Sequence, residues 1–141
     1  MRINDDYNND NNRQLSLADI LKSISDDKSL SIFKLIADVK NSNGQIILKK
    51  LGLSRKQYYS RISQMMAAGL IKRQSGKYYL TSSGRVIYCC MMIAQSAFDS
   101  YYKLAAIDST KDDDFSYEDF RKLVNTLIDD QTIKEFLVSQ C

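Results

Sequence analysis

Between Ile46 and Leu70 two helical repeats are separated by only three residues, Gly52-Leu53-Ser54, and that spacing leaves few folds open. Ile46 to Leu51 suits a short helix. Gly52 permits the sharp reversal after it, because glycine enters left-handed backbone without the steric cost other residues meet. Leu53 is placed to plug the corner, and Ser54 is a good N-cap for the next helix. In that second helix Tyr58, Ile62, Met65 and Gly69 with Leu70 recur at helical spacing and mark an inward face. Periodicity alone sends Tyr58 inward and Tyr59 outward. Two helices related in this way form a helix-turn-helix.

The opposite face of the second helix carries Lys56, Gln57, Ser60, Arg61 and Gln64, with Arg55 and Tyr59 flanking it. These side chains hydrogen-bond base edges or phosphates. From Lys40 to Phe98 the chain has no Asp or Glu but ten Lys or Arg, while the remaining residues carry ten basic and seventeen acidic side chains. A solvated surface normally mixes signs. A chain of formal net charge +3 that gathers its positive charge into one segment is suited to a polyanion, and duplex nucleic acid presents roughly one charge per 1.7 Å of axis.

Ile71 to Gln74 and Lys77 to Leu80 read as two short strands joined by the turn Ser75-Gly76, where Gly supplies positive φ. Lys72, Arg73 and Lys77 cluster around the turn, as a hairpin lying over a phosphate backbone requires. A helix-turn-helix followed directly by such a hairpin predicts a winged helix, so the expected fold class is mainly α with a small β-hairpin wing and C-terminal dimerisation helices.

Three stretches carry a resemblance to a known group: Leu51-Gly52-Leu53-Ser54-Arg55-Lys56-Gln57-Tyr58-Tyr59-Ser60-Arg61-Ile62, then Ala68-Gly69-Leu70-Ile71-Lys72-Arg73, then Lys77 to Arg85. Together they resemble the archaeal winged-helix transcription regulators of ArsR and MarR type. The run Tyr101 to Asp108 is similar to a small archaeal subfamily of unassigned function, and the likeness covers roughly Leu30 to Leu137. The resemblance implies sequence-specific double-stranded DNA binding by a homodimer, with the helix from Ser54 in the major groove. The metal ligands that some relatives use are missing, since there is no His and Cys89-Cys90 is not a chelating spacing.

The flanks complete the expected organisation: a polar tail over 1–14, a DNA-binding domain over 15–82 and a helical dimerisation region over 83–141. Arg2 to Arg13 contains five Asn and three Asp and reads as a disordered tail. Ser16 and Asp19 form a capping box for a helix bearing Leu17, Ile20, Leu21 and Ile24. A cap at Asp26 or Asp27 starts another, lined by Leu30, Phe33, Ile36 and Ala37 and broken by Asn43-Gly44. Ser82 or Ser83 caps the longest helix, Gly84 to about Ile107, whose first part, Val86 to Ala94, is apolar around its whole circumference. Such a helix is buried on all sides. Either a second copy covers it, through Tyr88, Met91, Met92, Ile93 and Phe98, or the C-terminal segment of the same chain does. Cys89 and Cys90 read as small buried hydrophobes, with a redox role as the other possibility.

Beyond Ile107 the composition turns acidic. Asp108, Thr110, Asp112 and Asp114 alternate as in a calcium loop, but Asp113 stands where such a loop needs Gly and Asp119 where it needs Glu, so the segment reads as a solvated linker. Ser116 with Asp119 caps a helix bearing Phe120, Leu123, Val124, Leu127 and Ile128. Thr132 with Glu135 caps a last one bearing Ile133, Phe136 and Leu137.

No metal, cofactor or catalytic activity is expected: there is no His to act as a base and no Gly-rich phosphate loop. The longest apolar run, Val86 to Ala94, is far short of the ~20 residues that cross a bilayer, and Met1 to Gln14 is polar, so the expected location is the cytoplasm. The sequence reading that rivals a DNA regulator is a winged-helix module that docks on protein or RNA without reading DNA sequence.

Overall fold

The structure, a computed structural model, describes residues 14–38, 43–110 and 115–139. Among these the chain is mainly helical, with eight helices and one two-stranded antiparallel hairpin. Contacts divide it into two units, ending and beginning at Gly84 and Arg85. The expected tail over 1–13 and most of the acidic linker, 111–114, lie outside the described residues.

In the first unit, α1 (Leu17–Lys22) starts at the capping box Ser16/Asp19, and α2 (Asp27–Ala37) starts at Asp26, whose carboxylate accepts from the N–H groups of Lys28 and Ser29. Ser29, Ile32, Phe33 and Ile36 are the buried positions of α2, so its inner face is rotated from the expected one, with Leu30 only half-buried. Asn43-Gly44 does not end this helix. Instead, Asn43 caps α3 (Gly44–Leu51), its side chain accepting from Gln45 N–H, and α2 has already stopped at Ala37. The side chain of Lys28 reaches across to donate to the last carbonyl of α3, that of Leu51, at 3.0 Å. A cation at a helix C-terminus meets both an orphan carbonyl and the negative end of the dipole.

Gly52 follows at φ 60°, Leu53 is half-buried in the corner, and α4 (Arg55–Ala67) begins at a full capping box between Ser54 and Gln57. Tyr58, Ile62 and Met65 are the buried stripe of α4. Gly69, expected inward, is exposed at φ 71° and terminates the helix: its N–H bonds the carbonyl of Met66 while Leu70 N–H bonds that of Met65. That pair of bonds needs left-handed backbone, which is why glycine stands there.

The chain then forms β1 (Ile71–Gln74) and β2 (Lys77–Leu80), paired Ile71 with Leu80 through to Gln74 with Lys77. Ser75 and Gly76 both have positive φ, 51° and 76°, the primed turn whose twist matches a hairpin. Ile71 and Tyr78 are buried, with the hairpin packed on α2 and α4. The core of this unit is Ile32, Phe33, Ile36, Ile47, Tyr58, Ile62, Met65 and Leu70, each contributing roughly 1.5–3 kcal/mol on burial.

Thr81, not Ser82 or Ser83, caps the next helix. Its hydroxyl accepts from Gly84 N–H at 2.9 Å and donates to the carbonyl of Gly69 at 2.5 Å. That helix, α5 (Ser82–Asp99), does not continue to Ile107. Ser100 leaves the helical region, with ψ near 11°, and α6 (Tyr101–Ser109) follows. Ser100 N–H still bonds the Ser96 carbonyl and its own carbonyl accepts from Leu104 N–H, both at 3.0 Å, so this one residue ends α5 and starts α6.

The second unit gathers Ile107, Val124, Ile128 and Ile133 into a core, against which Ala97, Leu104, Phe120, Leu123 and Leu137 pack. It is built from α6, α7 (Tyr117–Leu127, capped by Ser116) and α8 (Gln131–Val138). Asp130, rather than Thr132, caps α8 by accepting from Ile133 N–H, and the Tyr117 hydroxyl ties the start of α7 to the Val138 carbonyl at 3.1 Å.

That core leaves the first part of α5 uncovered. Val86 and Met92 are 62 % and 43 % exposed, Cys89 and Cys90 are exposed rather than buried, and Tyr88, Met91 and Ile93 are half-buried. Further on, Phe98 is 74 % exposed. The C-terminal segment of the same chain therefore leaves these exposed positions uncovered. No helix among the described residues is long and apolar enough to cross a membrane.

Candidate nucleic-acid interface

The buried stripe of α4 fixes what the helix presents outward. With Tyr58, Ile62 and Met65 inside, the centre of the outer face falls on Lys56, Ser60 and Ser63, all exposed, with Arg55 and Tyr59 along one margin and Gln57, Gln64 and Arg61 along the other. Ser63 was not among the expected site residues, although the same periodicity places it.

The two margins differ chemically. Arg61 is half-buried and tied back into the first unit: its Nε lies 3.4 Å from Asp26 Oδ1, and its Nη1 donates to the Gln57 carbonyl at 3.4 Å. Asp26 also accepts from the Ser29 hydroxyl. That bond first, then the Ser29 N–H, hold its carboxyl below the ordinary range against the opposing effect of burial, with a lesser contribution from the Arg61 guanidinium. Gln57 uses its side-chain Oε1 to accept from Ser54 N–H at 3.1 Å, leaving its amide NH₂ as a donor. Gln64 borders a cavity of about 270 Å³ between α1 and the C-terminal end of α4, together with Asp19, Lys22 and Ala67. On this margin Arg61 is tied to Asp26 and Gln57 to its own cap, while Gln57 and Gln64 stay exposed.

The other margin is open. Tyr59 is 53 % exposed, its ring held edge-to-face on that of Tyr58 with centroids 5.2 Å apart. Arg55 and Lys56 occupy the first turn of α4, where no acidic residue stands. An acidic first turn would favour the helix dipole, so two cations there oppose local helix stability. They suit an external anion arriving at the same end, and the capping box secures the helix in their place.

In the hairpin, pairing puts Lys72, Gln74, Lys77 and Tyr79 on one face and Ile71, Arg73, Tyr78 and Leu80 on the other. The second face is the packed one, with Arg73 at its exposed tip. Lys72 and Lys77 therefore share the outer face, and all three cations of the expected set are exposed. From α3, Lys49 and Lys50 are exposed as well. They were missed as site residues although they fall in the acid-free segment. Among the described residues none of Lys49, Lys50, Arg55, Lys56, Lys72, Arg73 and Lys77 forms an ion pair with a carboxylate. Seven exposed cations on α3, α4 and the hairpin of one unit thus have no carboxylate partner among the described residues, a charge distribution that would attract an anionic polymer.

Tyr58 lies directly beneath this surface. Its hydroxyl is buried without a hydrogen-bond partner among the described residues, and burial pushes its pKa up to about 12. It serves packing, not chemistry. Among the described residues no group of three or more Cys, Asp or Glu is placed to hold a metal ion.

The chain matches no protein family, no curated protein and no solved structure. The interface is therefore interpreted from its own residues.

Proposed function

We propose that this chain is a sequence-specific double-stranded DNA-binding transcription regulator that acts as a homodimer, with the winged-helix fold as its reading head. The observation that carries the proposal is the coincidence of α3, the three-residue corner, α4 and the hairpin with seven exposed cations that have no carboxylate partner among the described residues. In this reading α4 enters the major groove. Lys56, Ser60 and Tyr59 meet base edges, Arg55, Lys49 and Lys50 meet phosphates, and Lys72, Lys77 and Arg73 lay the hairpin on the backbone. Arg61 holds α4 against the N-terminal end of α2 and so acts on orientation. The hairpin, with a two-residue turn, reaches one strand of backbone only.

The homodimer rests on α5. Val86, Cys89 and Cys90 share one stripe of α5 and expose surface that the chain does not cover, and covering it with a second copy gives two reading heads suited to an inverted repeat with half-sites about 34 Å apart. Selecting bound fragments from random duplex DNA tests the whole reading. A recovered palindromic site supports it. Recovery without any shared sequence, or retention of RNA or protein in preference to duplex DNA, replaces it with an interaction module.

A further inference from the structure

Val86, Cys89, Cys90 and Ile93 stand at spacings of three, one and three residues along α5, which puts them on one stripe of the helix. Val86 and both thiols are exposed, and Ile93 is half-buried. Exposed free cysteines are unusual, since the residue is among the most often buried. A second α5 running antiparallel, related by a two-fold axis crossing between residues 89 and 90, brings its residue 93 level with Val86 and sets like thiols on the same side of the seam, Cys90 beside the partner's Cys90. No charged side chain stands between Arg85 and Asp99, so a second copy seated this way neither buries nor opposes a charge. An uncharged apolar stripe suits an isologous contact, and its centre is occupied by two exposed thiols.

We propose that Cys89 and Cys90 form a disulfide-forming site at this seam, in which a low-molecular-weight disulfide oxidises thiols across the two-fold axis and locks two copies together. The proposal rests on the homodimer reading. The two thiols of one chain are poor partners for each other, because consecutive residues diverge by about 100° around a helix and a bond between them would distort α5. Oxidation therefore has its outlet between chains. The thiolate of Cys90 attacks the small disulfide, forms a mixed disulfide and releases one small thiol. The thiolate of the partner's Cys90 then attacks the protein sulfur of that mixed disulfide and displaces the second. One interchain S–S bond forms, the oxidant's S–S bond breaks, two electrons pass to the oxidant, and the protons of both protein thiols leave with the released thiols.

The test uses the full chain with oxidised glutathione, read on non-reducing gels and by mapping the linked peptides. Sedimentation in reductant supplies an independent measure of assembly. The chain and its Cys141→Ser variant should convert by more than half to a covalent dimer that reductant reverses. The Cys89→Ser/Cys90→Ser double variant should lose that product at least tenfold while sedimenting as the same dimer in reductant. A dimer in reductant that yields only glutathione adducts, or a link that maps to Cys141, overturns the seam and leaves the homodimer standing. A monomer in reductant overturns the homodimer reading and the seam with it.

Discussion

A Cβ placed on Gly84 would lie 1.9 Å from the carbonyl oxygen of Leu70, so the first turn of α5 rests directly on the backbone that leads into β1. Thr81 fastens the same junction: its hydroxyl bonds the Gly69 carbonyl and receives Gly84 N–H, while its own N–H donates to Leu70 at 3.0 Å. Because the obstructing atom is backbone, Gly84→Ala cannot be absorbed by a side-chain rotation. The expected loss is ~3 kcal/mol, at the upper end of what overpacking costs, seen as a fall in melting temperature on the order of 10 °C. A loss below about 1 kcal/mol would show that helix and strand separate easily here.

Tyr58 gives an alkaline signature. Its unpartnered hydroxyl is neutral in the folded chain up to about pH 12, whereas an unfolded tyrosine ionises near 10. The contribution to stability is complete below pH ~10 and declines as pH rises from there towards the folded value, because the unfolded state loses its proton first. Tyr58→Phe should remove this decline and leave stability at pH 7 unchanged or slightly raised, since the hydroxyl it deletes had no bond to lose. Urea titrations of both proteins at pH 7 and pH 11 measure the difference.

Asp26 gives the acid counterpart. A carboxyl held below its ordinary range stabilises the fold above pH ~4, and that contribution is lost as pH falls through the folded value. Asp26→Asn keeps an N-cap acceptor but drops the charge facing Arg61, so it should flatten stability between pH 5 and 3, a window of about two units around the ordinary carboxylate value. At pH 7 the cost should stay within ~1 kcal/mol, as for other exposed pairs.

These residues also mark how far the sequence is legible. The corner at Gly52, the capped start of α4, the Tyr58/Tyr59 assignment and the hairpin register follow from local chemistry: left-handed glycines, side-chain caps and a period of 3.6 or 2. What local chemistry leaves open depends on distant partners. Arg61 reads as a free base-contacting side chain until Asp26, thirty-five positions earlier, is brought beside it. Gly84 reads as an ordinary helix residue until Leu70 is packed against it. Cys89 and Cys90 were assigned to a core because their neighbours are apolar, but hydrophobicity along a helix does not reveal how much of its circumference the fold has material to cover. The interruption at Ser100 likewise has no local breaker stronger than one serine.

The interface predicts a division between positioning and reading. With on the order of five phosphates neutralised per protomer, log K should fall against log salt with a slope near −4 to −5 per protomer. Lys77→Ala, on the outer face of the hairpin, should weaken all duplexes alike and lower that slope by about one. Lys56→Ala, at the centre of the outer face of α4, should instead cost ~1–3 kcal/mol on the preferred site and much less on random duplex. Arg61→Ala separates orientation from reading: it should lower stability by up to ~1 kcal/mol through loss of the Asp26 pair and weaken the preferred site without changing which sequence is selected. Binding titrations of the three variants on selected and random duplexes, at three salt concentrations, measure all of these together. A salt-independent affinity would overturn the electrostatic reading of the basic surface, and a Lys56→Ala loss equal on every sequence would remove α4 from the groove and leave only that surface.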